Sequence, residues 1–296
     1  MKAKTIFIFF SILISFCAHA EPTGLKITWF GSACVAVSDG ETSILFDPFF
    51  TRPSLWDVVS FKGLHSNPKI VSRWLSKLEP AKLSAVVASH SHYDHTLDLA
   101  ETVRISGAKV YGSYSTKNIL LGSRVKGEFE SIKVGSGFTV GDFKIKVLGG
   151  EHPPHFMNLT LASGVIESPL KMGSSAYAYK KDKDFSFLIE HPKGNVVFHP
   201  SGNSILKKSD AGGFEADLVV LGIANRSSSD DLLKKAVLPF KAQTVIPVHF
   251  DNIFTPLAQN PGDLFGVDRA GFEFSFKQVL PKGKLVFLKH GETHSL

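Results

Sequence analysis

Short β-type runs alternate with amphipathic helical ones along most of the chain. Residues 25–30, 34–38 and 42–46 read as strands, broken by Gly31 and by the turn Ser38-Asp39-Gly40. Between Pro68 and Glu79, Ile70, Val71, Trp74, Leu75 and Leu78 recur at helical spacing, and Pro80 is expected to end that helix. A strand over 83–89 comes next, then a helix over about 97–106 closed by Gly107. A strand at 110–112 and a short helix near 115–121 follow. Residues 132–134, 138–140 and 143–148 suggest a meander, and 177–180, 185–190 and 195–198 a second strand series. A continuous apolar strand at 218–221, a helix at 230–238 capped by Ser229, and a strand at 244–248 carry the pattern to His249.

No linker divides the two halves. Each holds a meander followed by strand-helix-strand units, which predicts two sheets packed face to face with helices outside. The long irregular stretch 153–175 carries exposed-looking Phe156, Met157, Leu159 and Leu161. Loops of that length are usually functional, so we read it as a substrate-contacting flap.

Composition and termini change this picture in three ways. Lys2 and Lys4, the apolar run 6–16 and the small-x-small Ala18-His19-Ala20 form an export signal over residues 1–20. The expected mature unit is a single domain over 21–296, periplasmic or secreted, with no transmembrane anchor because the apolar run is too short to span. Cys17 leaves with the signal, so Cys34 stands alone and neither an internal disulfide nor a Cys-rich zinc site is available. The formal charge of +6 falls by two when Lys2 and Lys4 leave, and it is spread without blocks, so nucleic-acid binding is not expected. Phosphate-cradling, serine-elbow and dinucleotide signatures are absent.

The chemistry concentrates in Ser89-His90-Ser91-His92-Tyr93-Asp94-His95, where four metal-competent side chains follow an apolar strand. Imidazole and carboxylate are the ligands that divalent metals such as zinc accept. His90 and His92 are two apart, so on an extended segment they point to one side and can share one ion. Asp94 and His95 lie past the strand end and can aim at a second. His152 and His249 each follow a strand end and can join the group, and His152 is preferred over His155, which lies beyond Pro153-Pro154. His199 also ends a strand, and both a ligand-orienting and a purely structural role are open to it. His65, His191, His290 and His294 sit in turns or the tail and read as surface residues.

His90-x-His92-x-Asp94-His95 with His152 and His249 downstream resembles the metallo-β-lactamase superfamily. The opening 27–33 and Ile44-Leu45-Phe46-Asp47-Pro48 look most like its branch of ascorbate-phosphate lactonases and N-acyl-phosphatidylethanolamine phospholipase D. The resemblance covers nearly the whole mature chain. It implies an α/β fold, a four-layer αβ/βα sandwich of two mixed sheets flanked by helices, with one or two zinc ions at one edge. Site one would be His90, His92 and His152; site two would be Asp94, His95 and His249. Asp47 matches the family's buried aspartate, which orients the metal-binding loop. One departure stands out: where most members carry a bridging Asp, the run Ser201-Gly202-Asn203-Ser204 offers Asn203 as a weak ligand or an outer contact. The second ion is therefore expected to bind less tightly, although one subgroup of true β-lactamases also lacks the bridge.

The expected function is an exported zinc-dependent hydrolase that uses a metal-bound hydroxide on a phosphodiester, lactone or related ester, with Asp94 as the catalytic carboxylate. Its substrate would be a small or lipid-like molecule. The alternatives are a periplasmic metallo-β-lactamase opening a β-lactam ring, and a metal-binding protein with decayed catalysis, which Asn203 suggests.

Overall fold

A computed structural model describes residues 24–78, 82–153 and 162–296. The proposed signal, with Cys17, and the residues His155, Phe156, Met157, Leu159 and Leu161 lie outside these.

Fourteen strands among the described residues form two sheets of seven. The first is built from β1 (Lys26–Trp29), β2 (Val35–Ser38), β3 (Thr42–Phe46), β4 (Lys82–Val87), β5 (Lys109–Gly112) and β6 (Phe129–Ser131) in sequence order, with β14 (Glu292–Ser295) added beside β1. The second runs through β7 (Gly137–Val140), β8 (Phe143–Gly149), β9 (Phe185–Glu190), β10 (Val196–His199), β11 (Leu218–Gly222), β12 (Thr244–Val248) and β13 (Lys284–Leu285). Both sheets are mixed. β1 to β3 and β7 to β10 pair antiparallel, while β3 to β6 and β10 to β13 pair parallel. Parallel neighbours need crossovers, and helices supply most of them.

The central strands β2, β3, β10, β11 and β12 are buried on both faces because both faces are covered. Ile44 and Phe46 of β3 face the second sheet, where the Phe46 ring lies 4.5 Å from Phe198 and 5.5 Å from Phe187. Leu45, between them, points the other way, into a separate cluster with Val71 and Trp74 of α2 (Pro68–Leu75), counted after α1 (Leu55–Val59). After α3 (Tyr93–Thr96), α4 (Leu99–Ser106) and α5 (Tyr114–Gly122) extend that outer layer with Leu99, Val103 and Ile119. Following α6 (Lys208–Ala211), α7 (Ser229–Ala236) and α8 (Arg269–Val279) cover the second sheet with Leu232, Leu233, Phe272 and Phe276. The four-layer αβ/βα arrangement is the one expected.

Several local expectations are corrected. Residues 132–134 are not a strand of the meander; the strand lies just before them, at β6, and completes the first sheet. Residues 177–180 alternate like a strand but fall in and after a 3-10 turn, Ala176–Ala178, with no neighbouring edge to pair. The α2 helix ends at Leu75, five residues before Pro80, where Ser76 already closes it. Ser228, not Ser229, caps α7, accepting from the Asp231 amide. The chain after His249, to which the apolar pattern assigned no element, supplies α8, β13 and β14. His191 and His290 are not surface residues: each places its Nε2 on a carboxylate, of half-buried Asp39 at 3.2 Å and of buried Asp251 at 3.0 Å.

Candidate metal centre

The β4 strand ends at Val87, and the chain bends at Ser89, His90 and His92 before entering α3. That geometry buries His90, His92 and His95, at 4%, 5% and 1% exposure, while Asp94 sits in the first turn of α3. His152 follows the end of β8 and His249 the end of β12, so strand ends of both sheets meet at one rim. The result is two triads. His90, His92 and His152 each offer a ligand atom within 4.8 Å of the others, and so do Asp94, His95 and His249. The triads adjoin, since the His90 and His95 rings are 3.7 Å apart. All six residues line one cavity of about 240 Å³.

Ring orientation is set behind the site. Asp47, fully buried after β3, accepts from the Ser89 amide at 2.7 Å and the Ser89 hydroxyl at 2.6 Å. It also accepts from His95 Nδ1 at 2.8 Å, so Nε2 is the atom that the neutral ring would offer to an ion in the cavity His95 lines. His152 Nδ1 donates to the Pro153 carbonyl at 2.6 Å. The Ser89 hydroxyl sits 3.2 Å from His90 Nδ1. These outer contacts fix tautomers as metal-binding histidines require.

His249 is braced by its backbone. Its amide donates to the Ser32 carbonyl at 2.8 Å, and the Ser32 amide donates to Asp251 Oδ1 at 2.7 Å. Asp251 also holds Arg52 and His290 at 3.0 Å each, in a pocket where the Arg52 side chain is fully buried. These three partners keep the Asp251 carboxyl far below the usual range against the opposing effect of burial. Gly31 is required here, because a Cβ at φ +98° would lie 2.8 Å from Asp251 Oδ2. Ser32, Asp47 and His249 themselves take left-handed backbone at φ 47°, 49° and 57°. For such residues this conformation is strained and tends to cluster at functional sites.

The donor chemistry fits a divalent ion. His90 Nε2, His95 Nε2 and His249 Nδ1 are buried with no hydrogen-bond partner. Burial, and then its histidine neighbours, push His90 well below its ordinary pKa, so its ring is neutral and its lone pair available. Burial alone would raise Asp94, but His95 and His249 reverse this and hold it well below the carboxylate range. Asp94 Oδ2 lies 3.3 Å from His249 Nε2 and 3.6 Å from His95 Nε2. Burial lowers His95, while Asp47 and then Asp94 raise it past its ordinary value. Five imidazoles and one carboxylate are the borderline set that zinc-like ions accept.

His199 and Asn203 lie outside the cavity lining. His199 is fully buried, accepting from the Ser186 hydroxyl at 2.6 Å and donating to the Asn203 carbonyl at 2.8 Å. Burial pushes its pKa down to about 4. The Asn203 amide oxygen accepts from Ser227 at 3.3 Å. Of this loop, Pro200, Ser201 and Gly202 line the cavity, and the Ser201 hydroxyl donates to the Glu151 carbonyl. Gly202 beside it packs against the Ala224 carbonyl with no room for a Cβ. Sequence reasoning also missed Asp184, whose Oδ1 is 3.9 Å from His90 Nδ1 and whose other oxygen pairs with Lys181. Of the expected flap, Pro153 and Ala162 line the cavity, but much of 162–175 is tied down: Leu170 donates to the Asn118 carbonyl and Asn118 to the Ile166 carbonyl.

A two-sheet sandwich with paired ligand triads at one rim defines a class, and the sequence match agrees. Residues 26–249 match the beta-lactamase superfamily domain, and the chain belongs to that family. Among its relatives is a UPF0173 metal-dependent hydrolase of Myxococcus xanthus, 24% identical over 261 residues, 87% of this chain and 81% of that one. Another, from Thermococcus kodakarensis, is 26% identical over 271 residues, 90% of this chain and 98% of that one. Among solved structures, a metallo hydrolase of Ignicoccus hospitalis matches with a TM-score of 0.60 at 18% identity, covering 93% of this chain and 99% of that one. An isothiocyanate hydrolase from Delia radicum gut bacteria gives 0.59 at 17%, covering 92% and 99%. At such identities the two structures speak for the fold.

Proposed function

We propose that the chain is a metal-dependent hydrolase of ester-type bonds, holding zinc on His90, His92 and His152 and on Asp94, His95 and His249. The observation that carries this reading is the pair of triads, with buried ring nitrogens lacking any hydrogen-bond partner, at the floor of one cavity. Relatives named as metal-dependent hydrolases along most of the chain support it. Bound there, the ions supply Lewis acidity that makes water a nucleophile near neutral pH and polarises the bond under attack. Asp94, kept ionised by its two histidines, orients the attacking water and takes its proton. It then returns that proton to the departing oxygen. Asp47 holds His95 in the tautomer that leaves Nε2 free for an ion. Phosphodiesters, lactones and related esters are the substrates this chemistry suits, in line with the branch that the opening motif resembles.

Metal analysis of the purified protein, paired with a panel of ester, lactone and phosphodiester substrates, tests the reading. His90→Ala and Asp94→Ala should lose metal and activity together, with Asp94→Ala lowering kcat/KM by about a thousandfold or more, roughly 4 kcal/mol. Full turnover by metal-free protein would overturn it.

Export is proposed from residues 1–20, and mass determination of the mature N-terminus, expected at Glu21, tests it. Among the described residues no helix is long and apolar enough to cross a membrane.

A further inference from the structure

We infer that the cavity selects a substrate whose arm is uncharged and apolar, a carbonyl ester or lactone, over substrates that carry an anionic group away from the bond to be broken, such as carboxylate-bearing β-lactams. The inference rests on the hydrolase reading above and narrows it. Beyond the six donors, the cavity is walled mainly by carbon: Val58, Tyr177, Ile253, Phe254 and Leu264 are among its lining, and none of the described lining residues is a lysine or arginine. Residues 154–161, which join two lining positions, read Pro-His-Phe-Met-Asn-Leu-Thr-Leu and add no lysine or arginine by sequence.

Arg52, Lys181 and Arg226, which lie near lining residues in the chain, are committed elsewhere. Arg52 is buried against Asp251, and Lys181 is paired with Asp184. Arg226, two residues beyond the lining residue Ala224, donates to the Ile223 carbonyl, the Ser229 hydroxyl and the Asp268 carbonyl. An anionic group on the substrate's arm would leave water and meet no protein cation, which is an unfavourable transfer. The ions' own charge answers negative charge only at the reacting centre. At the rim, Asn225 offers a neutral amide, suited to a carbonyl or ring oxygen.

The volume points the same way. About 240 Å³ is below the roughly 300–1,000 Å³ of sites that enclose drug-sized ligands, so a longer arm must run out over the rim. Apolar surface continues outward there: Phe61, 66% exposed, stacks on the lining residue Tyr177 at 4.5 Å.

Two unreactive methyl ketones with equal numbers of non-hydrogen atoms, 2-nonanone and 4-oxopentane-1-sulfonate, titrated calorimetrically into the metal-loaded protein, test this. The uncharged ketone should bind at least about tenfold tighter. Tighter binding of the sulfonate, or no binding of either, overturns the inference. Alongside it, kcat/KM is compared on p-nitrophenyl hexanoate and nitrocefin in the native protein and in Val58→Lys. Comparing each substrate with itself cancels intrinsic lability. The added cation should raise nitrocefin and lower the hexanoate, shifting the ratio by about tenfold or more; an unmoved ratio counts against the inference. A protein that binds the uncharged ketone yet hydrolyses nothing sinks the hydrolase reading and leaves the selectivity for uncharged arms standing.

Discussion

The His90, His92 and His152 triad and the Asp94, His95 and His249 triad share one cavity but are held in different ways. Neutral contacts back the first: the Ser89 hydroxyl behind His90 and the Pro153 carbonyl behind His152, with the Asp184 carboxylate standing off at 3.9 Å. Buried charge backs the second. Asp47 grips His95, and the Arg52, Asp251 and His290 cluster steadies the strand end that carries His249. The second triad also contains the one carboxylate of the six donors. Without a bridging aspartate, the sequence leads one to expect a weak second ion. The geometry locates compensation in the same half of the site, through a local anion and a stiffer frame.

Breaking that frame should give the largest effect. Arg52→Ala leaves Asp251 charged, buried and short of a partner, which should cost about 3–5 kcal/mol in denaturant unfolding. His249 should loosen with it, so loss of the Asp94-side ion should accompany the loss of stability. An unchanged unfolding midpoint would mean the cluster is not a brace.

Acid should act outside both triads, through His199. Its folded pKa of about 4 lies below the ordinary 6.5, so the unfolded chain binds the extra proton first. Its contribution is complete above pH 6.5 and fades as pH falls towards 4, by about 3 kcal/mol in all. His199→Gln should flatten that part of the stability profile. If the acid slope is unchanged, another group carries it.

Comparing the two backing carboxylates sharpens the contrast directly. Asp47→Asn should weaken metal binding by about 10- to 100-fold, because it disturbs the contact that fixes His95. Asp184→Asn should cost under about threefold, since Asp184 stands off from His90 and is already paired with Lys181. Equal losses in competitive chelator titrations would erase the distinction.

The smallest expected change is a gain. Ser201→Asp places a carboxylate on the cavity lining and should tighten the weaker ion by about tenfold, whereas Asn203→Asp, facing Ser227, should do little. The reverse order would return Asn203 to the site.

The parts of the site written in adjacent residues were legible from sequence. His90 to His95 are consecutive, and strand-end positions marked His152 and His249. The framework was not: Arg52 meets Asp251 across 199 residues, and nothing local in either segment announces the other. Asn203 was placed at the bridging position because a motif gives spacing, while the loop's path decides which residues line the cavity. Asp184 was hidden in Lys181-Asp182-Lys183-Asp184, whose composition reads as a solvated turn. The layered sheets were legible because apolar runs covered on both faces leave few other arrangements, whereas 177–180 alternates like a strand yet has no edge to join.

The left-handed backbone at Asp47 and His249 carries a consequence for anyone selecting hardier versions of this protein. An L-residue held there costs on the order of 1–2 kcal/mol that glycine would not. Heat selection without an activity screen should therefore drift towards glycine or asparagine at His249, gaining ruggedness by discarding a ligand. The positions that make the molecule slightly fragile are the ones a stability screen would silently erase.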